Sequence, residues 1–216
     1  MNPSVIIFEN TPRFGVSETL GIIKRSFPDY NFTQQVFNGH DYGELEARKR
    51  VCIIAVSKGL PPFDLSVVKP VMKVDNVHVR DFLTPVAEDS TVWREMAHVK
   101  ARDSMTHVGY KNCLYHGNET KMVTIPASYA PKAGTPMIAH PTDSNLQRQI
   151  QVDEHIRLRE MPDRLTDTLL KVWKGDHPMI SKRGSAAACH RMLGNGVSRK
   201  IWTAIGFYLG LNFVNT

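Results

Sequence analysis

Cysteine is scarce in this chain, and long hydrophobic runs are missing. Only Cys52, Cys113 and Cys189 occur, with no Cys-x-x-Cys pair and no zinc-binding spacing between them. An odd, widely spaced set argues against a disulfide framework, so each reads as a reduced structural thiol. No apolar stretch nears the roughly 20 residues that cross a bilayer. Met1-Asn2-Pro3-Ser4 is not a charged region leading into an apolar one, from which we expect no signal peptide and a soluble, cytoplasmic protein. The nine histidines fall at no metal-ligand spacing, so no metal is expected. Neither sign of charge dominates: 27 Lys and Arg stand against 21 Asp and Glu, net +6. That balance is compatible with a nucleic-acid partner without demanding one.

What is present is ordinary globular material, 42% hydrophobic and 22% charged over 216 residues, enough for one large domain or two modest ones. Val5-Ile6-Ile7-Phe8 is a continuous apolar run of the kind buried on both faces of a parallel sheet. Such a strand needs neighbours on both edges, and this chain supplies only part of that cover. Ser17 is placed to cap a helix carrying Leu20, Ile23 and Phe27, closed by Pro28. Asn31 to Phe37 reads as a strand, Asn38-Gly39 as a turn, and Val51 to Val56 as a second buried strand. From Lys58 to Ser144 the pattern is irregular and β-leaning, with short strand-like pieces at 71–74 and 122–125 and prolines at 126, 131, 136 and 141. Leu158 to Met161 and Leu165 to Trp173 read as helical. Val197, Ile201, Ile205 and Leu209 make one stripe on a final helix. Residues 171–200 hold Lys171, Lys174, Lys182, Arg183, Arg191, Arg199 and Lys200 against Asp176 alone, matching the whole net charge. Such a run is commonly a solvated loop, and otherwise a phosphate-facing surface.

Four patterns follow one another. Phe8-Glu9-Asn10 ends the first strand. Tyr42-Gly43-Glu44-Leu45-Glu46-Ala47-Arg48-Lys49-Arg50 leads into the third. His140-Pro141 precedes Arg148-Gln149-Ile150-Gln151-Val152-Asp153-Glu154 and then Pro162-Asp163. Leu193-Gly194-Asn195-Gly196-Val197 opens the final helix. Each alone is weak. Together they resemble the DNA (cytosine-5) methyltransferases, with their Glu-Asn-Val, Tyr-Gly-x-Pro-Gln-x-Arg-x-Arg, His-Pro, Arg-x-Leu-Thr-x-x-Glu and Gly-Asn-Ser-Val motifs. The resemblance spans nearly the whole chain and the second half of a full family member. Thr11, Leu45, Glu46, Ile150, Gln151 and Gly196 depart from the family pattern. Glu46 in place of Gln sets a carboxylate beside Arg48 and Arg50, which would weaken their hold on DNA.

The resemblance implies an α/β fold: the C-terminal part of a Rossmann-like, S-adenosylmethionine-dependent methyltransferase sheet plus a small, irregular, β-rich target recognition domain. Residues 1–57 with 185–216 would form the first and 58–184 the second. It implies a flipped-out cytosine held by Glu9 and Arg50, with Arg48 positioning Arg50 or gripping the target phosphate. A protonated carboxyl, its pKa raised by burial, would donate to N3 and accept from the N4 amine. A guanidinium would donate to O2 as charge builds there. Asn10 would order the strand end. Asn195, Gly196 and Val197 would approach the cofactor from a helix N-terminus. Arg148 and Glu154 would form a structural ion pair. DNA contacts would lie between about 70 and 140, where Arg80, Arg94, Lys100, Arg102 and Lys111 occur.

The family's Phe-x-Gly-x-Gly cofactor loop and Pro-Cys nucleophile have no counterpart in this sequence. Cys52 lies inside an apolar strand, Cys113 follows no proline, and Cys189 precedes the last motif. The resemblance therefore implies a split enzyme, in which a second polypeptide supplies the cofactor loop, the thiolate and the missing strands, with double-stranded DNA as substrate. The alternative is a non-catalytic DNA-binding or regulatory module derived from such an enzyme.

Overall fold

The computed structural model describes residues 3–72, 76–105, 114–129, 135–180 and 185–214. Its mixed α/β chain divides by contact into two units. One comprises Met1–Glu44, Arg48–Asp75 and Val197–Thr216; the other comprises Leu45–Ala47 and Asn76–Gly196. The division by sequence motif set out above places residues 45–47, 58–75 and 185–196 differently.

In the first unit, β1 (Val5–Asn10), β2 (Tyr30–Asn38) and β3 (Lys49–Ser57) form a sheet of order β1-β3-β2. Both pairings are antiparallel. The first apolar run is therefore not a central parallel strand. Among the described residues β1 is an edge strand, partly buried, with Ile7 50% exposed. The doubly buried place belongs to β3, whose Val51 to Val56 are all within 1% of complete burial. Alternation explains this. Cys52, Ile54 and Val56 pack with Ile201, Ala204 and Ile205 of α6 (Arg199–Val214). Val51 and Ile53 pack on the other face with Leu20 of α1 (Glu18–Ser26). Ser17 caps α1 as expected, its hydroxyl accepting from Leu20 N–H at 3.2 Å. The Asn38-Gly39 turn is no tight hairpin: Asn38 pairs with Lys49, and residues 39–48 form the connection.

The second unit has a small sheet of order β4-β7-β6-β5, made by β4 (Arg94–Glu95), β5 (Leu114–Tyr115), β6 (Met137–Ala139) and β7 (Leu146–Gln149). It also carries a short helix, α2 (Ala97–Asp103). The strand-like pieces expected at 71–74 and 122–125 are not strands where described. Val71 and Met72 are irregular, and Met122 makes only an isolated bridge to Glu46. Lys73 and Val74 lie outside the described residues. Three helices follow: α3 (Val152–Leu158), α4 (Asp163–Lys174) and α5 (Ser185–Asn195). The helix expected at 158–161 instead ends at Leu158, because Glu160 takes a left-handed φ of 47°. Gly175, at φ 81°, closes α4.

Gly194 explains how α5 seats. A Cβ there would lie 2.4 Å from Ala127 N and 2.5 Å from Ala127 Cα, so helix and loop backbones meet where only glycine fits. His155 of α3 and His190 of α5 stack with ring centroids 5.2 Å apart and Nδ1 atoms 3.0 Å apart. Burial pushes His190 down to about 4 from 6.5.

Both described cysteines are fully buried. Burial, with the field of Glu9 as a second cause, pushes the Cys52 thiol up to about 12. Burial alone takes Cys189 to about 11, and its Sγ donates to the Leu169 carbonyl at 3.4 Å. Both thiols therefore stay protonated and unreactive near neutral pH.

Three outcomes are expected. Gly194→Ala destabilises the chain by about 3 kcal/mol through backbone overpacking, measured as a lowered urea midpoint. Iodoacetamide at about pH 8 leaves Cys52 and Cys189 unlabelled in native protein and labels both after denaturation, read by mass spectrometry. His190 binds its proton more readily unfolded than folded, so its stabilising contribution is full above about pH 6.5 and is lost as pH falls toward 4. Urea midpoints at about pH 7 and pH 5 check this, with a shallower dependence expected for His190→Asn.

Candidate active site

β1 and β3 place Glu9 beside Arg50. Glu9 pairs across the ladder with Cys52, and Arg50 stands two residues before Cys52 on the same face of β3. Arg50 Nε lies 3.1 Å from Glu9 Oε1, with the two side chains 17% and 15% exposed. Arg50 Nη1 also donates to its neighbour's carbonyl, Lys49 O, at 2.7 Å. Arg48 precedes β3 and is 2% exposed, its carbonyl accepting from Gly39 N–H at 3.0 Å. Asn10 does order the strand end: its Oδ1 accepts from Thr11 N–H at 2.8 Å, and a 3-10 turn over Pro12–Val16 follows.

The residues leading into β3 are held in place rather than poised for chemistry. Tyr42 donates its hydroxyl to Val68 O at 2.8 Å and meets Phe37 edge-on, and burial pushes it up to about 12. Gly43 sits at φ 87°, which the turn requires of glycine. Glu44 Oε1 accepts from Ser198 Oγ at 2.6 Å and from Lys200 N–H at 3.2 Å, while Lys200 Nζ donates to Gly43 O at 2.8 Å. Sequence reasoning missed this cluster. Its one visible signal is a lysine in the first turn of an apolar helix, which the structure buries. Glu46 likewise has a partner the sequence did not reveal. It is 1% exposed, with Oε1 accepting from Ile125 N–H at 2.6 Å and Oε2 lying 3.0 Å from Arg159 Nε.

Asn195, Gly196 and Val197 were expected to open the last helix, but Asn195 is the final residue of α5. α6 starts at Arg199, and Ser198 Oγ accepts from Ile201 N–H at 3.3 Å. The trio is thus a surface joint after a helix end, with Asn195 and Val197 exposed. Val197 therefore drops out of the apolar stripe, whose buried members are Ile201 and Ile205.

The remaining motifs build the second unit. Arg148 and Glu154 form a bidentate pair at 2.8 and 2.7 Å, and Glu154 also accepts from Thr84 N–H and Gln151 N–H. Arg148 stacks over Trp93, 5.2 Å from its centroid. His140 Nδ1 accepts from Thr142 and Asp143 N–H groups, so its Nε2 carries the proton donated to Glu88 O at 3.0 Å. Arg80 and Arg94 are exposed, with Arg80 on Asn118 at 2.5 Å. Lys100 and Arg102 share α2, and exposed Lys100 reaches Asn145 at 2.9 Å. Lys111 and Cys113 lie outside the described residues. Among the described residues no group of three or more His, Cys, Asp or Glu is placed to hold a metal, and no helix is long and apolar enough to cross a membrane.

The model of the C-5 cytosine-specific DNA methylase family matches residues 1–208. Among solved structures, the chain is similar to the Dnmt2 methyltransferase of S. pombe, with a TM-score of 0.72 and 16% identity over 99% of this chain and 66% of that one. It is similar to the Entamoeba histolytica methyltransferase EhMeth at 0.67 and 17%, covering 96% and 62%. A putative DNA modification methyltransferase encoded within an E. coli prophage gives 0.59 and 20%, covering 99% and 70%. No curated protein matches by sequence. The chain spans about two thirds of the length of these solved relatives. With a family model matched over nearly its whole length, the chain belongs to the C-5 cytosine-specific DNA methylases.

Proposed function

We propose that this chain is a subunit of a split DNA cytosine-5 methyltransferase. It contributes the cytosine-binding groups and target recognition. A second polypeptide contributes the S-adenosylmethionine loop, the Pro-Cys thiolate and further sheet strands. In this reading β1, β2, β3 and α6 form the C-terminal part of a Rossmann-like catalytic sheet. The small four-stranded sheet and its loops are the target recognition domain, assigned to 58–184, with 1–57 and 185–216 catalytic.

The observation that carries the reading is the Glu9–Arg50 pair, 3.1 Å apart and partly exposed, in a chain whose described cysteines are fully buried. The groups that grip a base are thus at hand, and no described sulfur is available to attack one. In the mechanism, the partner's thiolate adds to carbon 6 of a flipped-out cytosine and drives charge toward N3 and O2. Glu9 and Arg50 part from one another to receive the ring. As they part, Glu9 takes up a proton from solvent; the carboxyl then donates to N3 and accepts from the N4 amine, while the guanidinium donates to O2. Arg48 holds Arg50 or the target phosphate. When bound, S-adenosylmethionine supplies the methyl group for carbon 5. The exposed joint Asn195-Gly196-Val197 fits the task of lining its methionine end, since exposure leaves its backbone approachable. In this reading Arg80, Arg94, Lys100 and Arg102, together with Lys111 outside the described residues, contact duplex DNA, chiefly its phosphates.

The rival reading, a non-catalytic DNA-binding or regulatory module, is favoured by Glu46 and the other departures from the family pattern. The Arg159 pairing gives Glu46 a structural reason and takes that one departure out of the motive.

Co-expression with a polypeptide bearing the Phe-x-Gly-x-Gly and Pro-Cys motifs tests the proposal. The complex should methylate cytosine in duplex DNA, and Glu9→Gln or Arg50→Ala should lower kcat by about 10²–10⁴-fold. Undiminished turnover in either variant would refute the site.

A further inference from the structure

Residues 45–47 belong by contact to the second unit although their chain neighbours on both sides belong to the first. Their anchorage is dense. Met122 N–H donates to Leu45 O at 2.9 Å, Ala47 N–H to Met122 O at 2.7 Å, and Thr124 Oγ1 to Ala47 O at 3.3 Å. Leu45 is 1% exposed among Met122, Ile125 and Tyr115. At the centre Glu46, 1% exposed, takes Ile125 N–H on one oxygen and faces Arg159 Nε at 3.0 Å with the other. Arg159 is the residue after α3, and its guanidinium is 4% exposed. Two charges this deep are stable only together, because removing either strands the other in a low-dielectric interior. The next residues along the backbone are Arg48 and Arg50.

We propose that Glu46 and Arg159 are positioning residues: their buried ion pair fixes the 45–47 segment and thereby sets the backbone from which Arg48 and Arg50 follow. The inference rests on the reading of those arginines as base- and phosphate-gripping groups. It also accounts for the departure from the family's Gln at position 46: a carboxylate is required because its partner is a guanidinium.

Hydrogen exchange on the full-length chain, read by mass spectrometry, tests the anchoring without any activity. Arg159→Gln should speed exchange across residues 45–50 by about tenfold or more, while 52–56 in the centre of β3 stays protected. Glu46→Gln should act alike. The double variant Glu46→Gln/Arg159→Gln, with two neutral amides facing one another, should restore protection to within a few fold. Arg159→Lys, which keeps the charge, serves if the glutamine variant does not fold, and should give an intermediate rise. Unchanged exchange at 45–50 in the single variants, a rise spread evenly over the chain, or a double variant no better than the singles would each overturn the proposal. In the co-expressed complex, Arg159→Gln should lower kcat about tenfold with KM for DNA changed less than threefold, and the double variant should recover kcat. A wild-type complex that transfers no methyl group would sink the functional reading, while the exchange pattern alone would still decide the anchoring role.

Discussion

The structure of the first unit depends on strand β3 having one permitted register. It is paired on both edges, and both its faces are sealed by helices, α6 on one side and α1 on the other. A slip of one residue would turn Cys52, Ile54 and Val56 away from α6 and exchange them for Val51, Ile53 and Ala55, so the whole apolar set resists it. This constraint reaches the polar end of the strand without any contact there. Once Cys52 is locked opposite Glu9, Arg50 must fall on the same face two residues earlier. The placement of the ion pair is thus a consequence of hydrophobic burial several residues away.

The same physics explains what the sequence made legible. The order strand, helix, strand, turn, strand over the first 56 residues follows from apolar runs and one serine cap, and it is present. The choice of central strand was misread because two runs of similar hydrophobicity compete for that place. Val5–Phe8 is shorter and ends in Glu9-Asn10, whereas Val51–Val56 is apolar at six successive positions. In the second unit, little periodic signal exists to be read. Its strands are two to four residues long, and its loops are held by side chains bonding to backbone. Long-range partners such as Thr84 with Glu154, or Glu46 with Arg159, leave no local trace.

Several motif residues that suggest chemistry turn out to be structural at the atomic level. Gly43 supplies a left-handed turn, Gly194 a backbone-to-backbone approach, and His140 a hub that satisfies a short loop. Glu44 ties that turn to the start of α6. A motif in this chain is accordingly a mixture of groups that stand partly open to solvent and groups that hold the backbone in place. Spacing alone does not separate the two kinds.

Burial does separate them. Glu154 is wholly buried and bonded through both oxygens to Arg148 and to two backbone N–H groups, so nothing remains for a ligand to claim and prising it open would expose an unpaired charge. Glu9 and Arg50 are different. Both are partly open to solvent, with Arg50 Nε 3.1 Å from Glu9 Oε1. Two acid–guanidinium pairs in one chain therefore differ in kind: Arg148–Glu154 is sealed inside the fold, and Glu9–Arg50 stands partly open to solvent.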